Sequence, residues 1–369
     1  MRLRHRTYQA RSELRFERRR RRHTVQQAIV LILIGGVAAG VGGVAFSRRS
    51  GTLRIVWQNE LGGAVVTAPV LADDLALVSC LNGNLYALDA ESGRTHWKFL
   101  AGFPLHTSPL VVNNLVLVGS DDHNVYAVDV RTGREVWRYA TNGYVRSRPA
   151  HSGELVFVGS DDQFIHALNL RNGVAVWQFK TNGALAADLL THDDLVYAAS
   201  VDGQLYVLDP TGALRWKFKA GASLYSAPAV TENVVALGCD DRQVYGIDLH
   251  TGLERWRLST GAVVRSPLVE DDDRFVFGSD DGFLRAVSAR TGNLVWQASA
   301  GAAVHGALTP VGGHWFVGTD GGRLLALTDT GRPLTALALG SKIDGGLAVW
   351  RDLVIVPTER NGVLAVQAP

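Results

Sequence analysis

The sequence predicts an all-β protein, an eight-bladed β-propeller closed by an N-terminal strand and preceded by one transmembrane helix. Three observations carry that prediction. Tryptophans fall at 57, 97, 137, 177, 216, 256 and 296, at intervals of 40, 40, 40, 39, 40 and 40 residues. One phrase recurs in register ahead of six of them, and a fixed period of this size is the signature of a repeat architecture. Residues 28–46 carry no charge and follow closely on a run of arginines. With 47% hydrophobic residues and 40 Gly in 369, the chain can build a large core and has no low-complexity character.

Residues 1–23 form a basic tail. The first fifty residues hold twelve Arg against Glu13 and Glu17, a formal +10, so the net +2 of the chain leaves −8 for the other 319 residues. An acidic body argues against nucleic acid as its partner, because phosphate recognition needs the opposite sign. Residues 24–46 are the expected transmembrane signal-anchor. Ala28 to Phe46 is 19 residues, roughly 28 Å of helix and about one bilayer core. A cleaved signal peptide is the competing reading, but a basic region of 23 residues is long for one and no clean small-x-small site follows. No cysteine stands near the end of the run, which argues against a lipid anchor.

Ten Arg precede the helix and only Arg48 and Arg49 follow it closely. The positive-inside tendency therefore puts the tail in the cytoplasm and the body outside. In a diderm bacterium that is a single-pass inner-membrane protein with a periplasmic body. Gly36-x-x-x-Gly40 and Ala39-x-x-x-Gly43 would let two helices approach closely, although Gly and Ala are frequent in membrane helices in any case. The run Arg18–Arg22 could meet anionic headgroups or nucleic acid; most often such a run only fixes topology. Residues 47–52 read as a linker.

Residues 53–369 hold the repeat. The phrases are LYALDAESGRTHW (85–97), VYAVDVRTGREVW (125–137), IHALNLRNGVAVW (165–177), LYVLDPTGALRW (205–216), VYGIDLHTGLERW (244–256) and LRAVSARTGNLVW (284–296). A seventh copy, LLALTDTGRPLTA (324–336), places Ala336 where Trp is expected, and an eighth begins with VLAVQ (363–367). Each unit reads as four short strands. In the second, these are LHTSPLVV (105–112), LVLVGS (115–120), VYAVDV (125–130) and EVWRYA (135–140), with Gly, Asn and Asp at the joints. Asn82-Gly83, Asp202-Gly203, Asp281-Gly282 and Asp320-Gly321 suit the positive φ angles of tight hairpins. Units of about 40 residues are blade-sized, and third strands count to eight. The last unit lacks a fourth strand, while LRIVWQNEL (53–61) is a stray fourth strand; pairing the two closes the ring and removes an open edge.

The pattern Ala-x-Asp-x-x-x-Gly-x-x-x-Trp, as in Ala87, Asp89, Gly93 and Trp97, resembles the tryptophan-docking motif of quinoprotein-type, pyrroloquinoline-quinone-like propellers over residues 53–369. The resemblance implies that each indole packs against the neighbouring blade, so that Trp57, Trp97, Trp137, Trp177, Trp216, Trp256 and Trp296 are structural. One branch of the family, the quinoprotein dehydrogenases, carries the quinone and calcium on the axis, with an adjacent cysteine pair and long insertions. This chain has neither of the last two. Cys80 and Cys239 occupy matching sites four blades apart and should face each other across the ring, too far to bond. The other branch resembles the compact propeller of the outer-membrane β-barrel assembly machinery (BamB-like), which has eight blades, no cofactor and a partner bound through loops on one face.

The repeat also locates a candidate site. Segments leading into each innermost strand place Val66, His106, Arg146, Ala186, Tyr225, Arg265, His305 and Asp344 at one equivalent position, with Arg148 and Asp188 two residues further on. Val66 and Ala186 show that the scaffold needs only small or apolar residues there. His106, Arg146, Arg148, Asp188, Tyr225, Arg265, His305 and Asp344 should therefore form a cationic, hydrogen-bonding ring at one channel mouth. It could take an anion, a peptide or a partner loop, or it could be a solvated channel with internal pairs such as Arg148 with Asp188. Gly-Ser-Asp-Asp at 119–122, 159–162 and 278–281 reads as turn chemistry rather than a calcium site. No nucleophile elbow, phosphate loop or zinc spacing is present. The expectation is a non-catalytic, cofactor-free and metal-free scaffold for other envelope proteins. A quinone-dependent dehydrogenase and an anion-binding extracytoplasmic sensor are the alternatives.

Overall fold

The computed structural model describes residues 52–360 and 362–368. The expected basic tail, the membrane helix at 24–46 and its Gly36 and Gly40 lie outside the described residues. Among the described residues no helix is long and apolar enough to cross a membrane.

Residues from Leu53 onward fold into eight four-stranded antiparallel sheets, seven of them built from four strands consecutive in sequence. Blade 2 is Leu110–Val112, Leu115–Gly119, Asn124–Asp129 and Glu135–Ala140. Its first strand is shorter than the 105–112 expected from sequence. Residues 105–109 leave the sheet because their backbone is committed elsewhere: the Leu105 N–H donates to the Cys80 carbonyl of blade 1 at 3.4 Å. Equivalent bonds link every neighbouring pair, from Val145 N–H to Ser120 O at 3.2 Å round to Val65 N–H to Thr358 O at 3.1 Å. That last bond joins blade 8 to blade 1. The sheet containing Leu353–Thr358 and Gly362–Gln367 takes its fourth strand from the N-terminus, Arg54–Asn59, which pairs antiparallel with Gly362–Gln367. The ring closes as its end bookkeeping requires.

The second and third strands are buried on both faces, as in Leu115–Gly119 and Asn124–Asp129, which is why their sequences are apolar on consecutive residues. The outer strands carry the tryptophans. Each of the seven indoles lies on a glycine of the next blade, and six donate their N–H to a carbonyl there: Trp57 to Ala90 at 3.1 Å, Trp97 to Val130 and Trp137 to Leu170 at 2.9 Å, Trp177 to Pro210 at 2.8 Å, Trp216 to Leu249 at 3.2 Å and Trp256 to Ala289 at 2.8 Å. Gly173 shows why glycine is required. Its φ is +70°, and a Cβ there would sit 2.5 Å from the Trp137 ring. Losing one such ring costs about 3–5 kcal/mol. The tryptophans are structural, as the motif implies.

Two details of the repeat differ from the sequence reading. Thr335, not Ala336, holds the seventh docking position, because it pairs with Ala326 as Trp97 pairs with Ala87. The seventh turn is one residue short, like the fourth, and that shortening shifts the register. In the seventh hairpin the left-handed residue is Gly322, φ +72°, so Asp320-Gly321 is not the turn dipeptide. A tryptophan at 335 would also have nothing to dock on. Blade 8 passes from Gln367 to Arg54 across the chain ends, and no Gly-bearing turn joins its third and fourth strands. Leu53 lies in the core between blades 7 and 8 with Leu324, Ala326 and Val366.

Two substitutions test this account by urea denaturation of the purified protein. Gly173→Ala should lower stability by about 2–4 kcal/mol, combining left-handed strain with overpacking. Thr335→Trp, which restores the repeat consensus, should give no increase in the urea midpoint. A clear gain would mean that blade 8 offers an indole platform after all.

Candidate functional site

The segments leading into the innermost strands lie side by side around the axis. Adjacent ones touch directly: the Ala68 N–H donates to Ser108 Oγ at 3.0 Å, and the Ser226 hydroxyl to the Ser266 carbonyl at 2.9 Å. This brings the expected ring together, but in company the sequence reading did not foresee. The first Asp of the paired-aspartate turns faces the mouth: Asp121, Asp240 and Asp280 meet the ring residue of the following blade, whereas Asp161, followed there by Ala186, lies 3.9 Å from Arg146 of its own blade. Arg146 donates to both oxygens of Asp121 at 2.9 Å, and Arg265 to both oxygens of Asp240 at 2.9 Å. Such forked pairs fix the guanidinium plane as well as its position.

Only the second Asp of each turn behaves as a turn former. Asp122, Asp162, Asp241 and Asp281 accept the backbone N–H two residues on, at 2.9–3.0 Å. Three of them also hold a third-strand side chain, namely Tyr126, His166 and Tyr245. At Asp281 the partner is Arg285, whose guanidinium donates at 2.7 Å. Burial and the Asp241 hydrogen bond push the Tyr245 hydroxyl up to about 12.

The mouth is therefore not a cationic ring. Asp121, Asp161, Asp240, Asp280, Asp320, Asp344 and Glu359 share it with Arg146, Arg265 and Lys342, and with the imidazoles of His106 and His305. The cations expected to await an anion are already engaged. His106 Nε2 lies 3.5 Å from Asp121 Oδ2. Burial and the nearby Arg146 lower its pKa against the pull of Asp121. Burial raises the Asp161 carboxyl, with Asp121 and Asp162 adding to the effect and Arg146, 3.9 Å away, opposing it. Deeper in, Asp188 accepts the backbone N–H of Arg148 at 2.9 Å, while the Arg148 Nε donates to the Pro109 carbonyl at 3.3 Å. The expected side-chain pair is thus a side-chain-to-backbone contact. Burial pushes the Asp188 carboxyl up.

The densest cluster joins blades 6, 7 and 8. His305 Nε2 lies 3.0 Å from Asp280 Oδ1, and its Nδ1 lies 3.1 Å from Asp320 Oδ1 and 2.9 Å from Asp344 Oδ1. An imidazolium has two N–H groups for three carboxylates, and only the Asp344 contact is an aligned hydrogen bond; Asp280 Oδ1 and Asp320 Oδ1 are buried without one. Lys342 Nζ adds contacts to Asp344 at 3.0 Å and Asp320 at 3.4 Å. The donor atoms of His305, Asp320 and Asp344 lie within 4.8 Å of one another, but the Lys342 ammonium already serves as their counter-ion.

Tyr225 and Tyr144 flank the two arginines at the mouth. The Arg146 guanidinium lies 4.3 Å from the Tyr144 ring centre, and that of Arg265 5.1 Å from Tyr225. A cleft of about 410 Å3 lined by Phe103, Pro104, Asp121, Asp122, His123 and Tyr144 opens beside the first pair. Cys80 and Cys239 are buried, unbonded thiols; burial pushes Cys239 up to about 11. Trp350 donates to Asp74 at 3.2 Å and ties blade 8 to blade 1, a structural role that its isolated place in the sequence hid.

Comparison with known proteins follows the fold. The family model described as outer membrane protein assembly factor BamB matches residues 40–184, 161–307 and 280–368. Among solved structures, BamB from Moraxella catarrhalis is similar at a TM-score of 0.74 and 20% identity, covering 86% of this chain and all of that one. The computationally designed protein Ika8 is similar at 0.74 and 18% identity, over 84% of this chain and 98% of that one. At such identities these structures share the fold. No curated protein sequence matches this one.

The contact of His305 with three blades makes stability pH-dependent. The hydrogen bond to Asp344 leads, with Asp320 and Asp280 adding, and together they raise its pKa above 6.5 against the opposing effect of burial. The stabilisation is complete below the unfolded value near 6.5 and is lost as pH rises through the raised folded value. His305→Gln should remove the part of the stability–pH slope that lies above pH 6.5, measured as urea midpoints from pH 5.5 to 8.5. An unchanged slope would exclude His305 as its source.

Proposed function

The chain belongs to the family of the outer membrane protein assembly factor BamB, and from that premise we propose that it is a non-catalytic scaffold. Its propeller binds other envelope proteins through the axial mouth. Residues 24–46 anchor it in the inner membrane, with residues 1–23 cytoplasmic and the propeller periplasmic. Gly36 and Gly40 offer a face for helix pairing. The observation that carries this reading is the composition of the mouth. Tyr144 and Tyr225 are 41% and 40% exposed, Phe103 is 57% exposed, and two arginines stack beside the tyrosines. Tyr, Phe and Arg are the residues enriched at protein–protein contacts. Asp121 and Asp240 hold the arginines in place before any partner arrives, which lowers the entropy lost on binding.

The same pairs argue against the small-anion alternative. An anion would have to displace Asp121 or Asp240 from a forked contact, whereas a partner loop can pack on the exposed rings and leave the pairs intact. The assembly it serves, on this reading, is that of outer-membrane proteins, as in the description of its family.

The test is purification of the full-length protein from its own membranes in mild detergent, followed by mass spectrometry and absorbance. Envelope proteins should co-purify with the wild type and be lost from a Tyr144→Ser, Tyr225→Ser double variant of unchanged melting temperature. Retention of the same proteins by that variant would place the interface elsewhere. A lone protein with a quinone chromophore and quinone-dependent dye reduction in added calcium would make it an enzyme.

A further inference from the structure

Eight quasi-equivalent interfaces allow the protein to be compared with itself. Two residues beyond a docking tryptophan, a side chain can meet one from the third strand of the next blade. At four interfaces both are rings: Phe99 with Tyr126 at 5.2 Å between centroids, Tyr139 with His166 at 5.5 Å, Phe179 with Tyr206 at 5.8 Å and Phe218 with Tyr245 at 5.2 Å. Between blades 6 and 7 the same two positions hold Ala298 and Leu325. A cleft of about 350 Å3 opens beside this pair, lined by Leu325 but not by the buried Ala298, and further by Ala300, Arg323, Leu327, Pro333 and Leu334.

Two further features mark this interface. The Trp296 indole N–H is buried without a partner, although six other docking indoles have one. The carbonyl that the repeat spacing would offer it, at Asp329, is instead within 3.4 Å of Arg274. Arg323 is exposed, and among the described residues no hydrogen bond or ion pair engages its guanidinium. The equivalent position in the other blades is uncharged, as at Asn84, Asn124, Phe164 and Gln204. The cleft's volume falls at the small end of the roughly 300–1,000 Å3 of ligand pockets, which suits one side chain better than a cofactor.

We propose that this cleft between blades 6 and 7 receives an aromatic side chain from an extended segment of a partner protein, with a carboxylate beside it that pairs with Arg323. At four other interfaces the position of Leu325, which lines the cleft, holds a ring packed on a second ring at the position of Ala298. The uncompensated guanidinium at the edge selects an acidic flank. The site lies between the outer parts of two blades and is separate from the axial mouth, so it stands or falls independently of that interface.

The test is a 19F NMR titration of the peptide acetyl-Gly-Asp-Phe-Asp-Gly-amide, with 4-fluorophenylalanine as its aromatic residue, against the full-length protein in mild detergent. A saturable shift is expected. It should disappear in an Ala298→Phe, Leu325→Tyr double variant, which refills the cleft with the protein's own rings. Arg323→Gln should weaken binding about two- to fivefold, the range of a solvent-exposed ion pair, and so should the peptide with Asn for Asp. Arg323→Gln is a surface change, so it reports even if the double variant folds poorly. No saturable shift, an undiminished shift in the refilled variant, or indifference to both charge changes would overturn the proposal.

Discussion

The structure depends on an indole resting against a glycine of the next blade. That contact asks three things of the neighbour: a left-handed residue without a side chain, a carbonyl aimed at the indole N–H, and a fixed distance along the chain. The carbonyl lies 33 residues beyond the tryptophan in all six bonded cases, from Trp57 with Ala90 to Trp256 with Ala289. The 40-residue period is therefore a consequence of docking. A blade longer or shorter by several residues would move the platform from under the ring, at a cost of several kcal/mol. The fourth blade tolerates a turn one residue shorter because Pro210 still presents its carbonyl at the same separation.

A scaffold held from its outer strands leaves the inner ends of the blades free to vary. The backbone bonds that link neighbouring blades near the axis, such as Val145 N–H to Ser120 O, use no side chain. Valine, histidine, arginine, tyrosine and aspartate can then occupy one equivalent position without disturbing the frame. What they do there is set by the turn of the preceding blade. Where that turn offers Asp121 or Asp240, an arginine is gripped by both oxygens; where Val201 stands in its place, the ring residue is Tyr225. Two adjacent aspartates thus divide the work, the second shaping the hairpin while the first, as at Asp121 and Asp240, neutralises an arginine of the next blade.

Much of this was legible in the residues. The tryptophan spacing, the recurring phrase and the stray strand at 53–61 specify eight blades and their closure, because docking and hairpin chemistry are local and repeat. The ring at the mouth was legible as a set of positions but not as an electrostatic object. Asp121 and Arg146 are 25 residues apart and belong to different blades, and nothing in a turn motif says which of two adjacent carboxylates leaves the turn. The seventh docking position was misplaced by one residue for a related reason. Without tryptophan as a landmark, only the pairing of Thr335 with Ala326 reveals the short turn.

Several departures from the repeat gather on one side of the ring, and closure explains where these fall. Blade 8 is assembled from both ends of the chain, so it has no turn to receive an indole from blade 7, and Thr335 follows from that. Its neighbours lose outer cohesion as well: Trp296 docks without a hydrogen bond, and Ala298 and Leu325 stand where rings meet elsewhere. Cohesion there comes from polar contacts near the axis and across the seam. His305 reaches carboxylates of blades 6, 7 and 8, Lys342 binds two of the same groups, and Trp350 crosses to Asp74 of blade 1. Apolar docking is indifferent to pH, whereas an imidazole shared among three carboxylates is not. The segment of the ring that closes the fold is thereby also the one whose grip depends on protonation, and the blades on either side of the open cleft are the ones it holds.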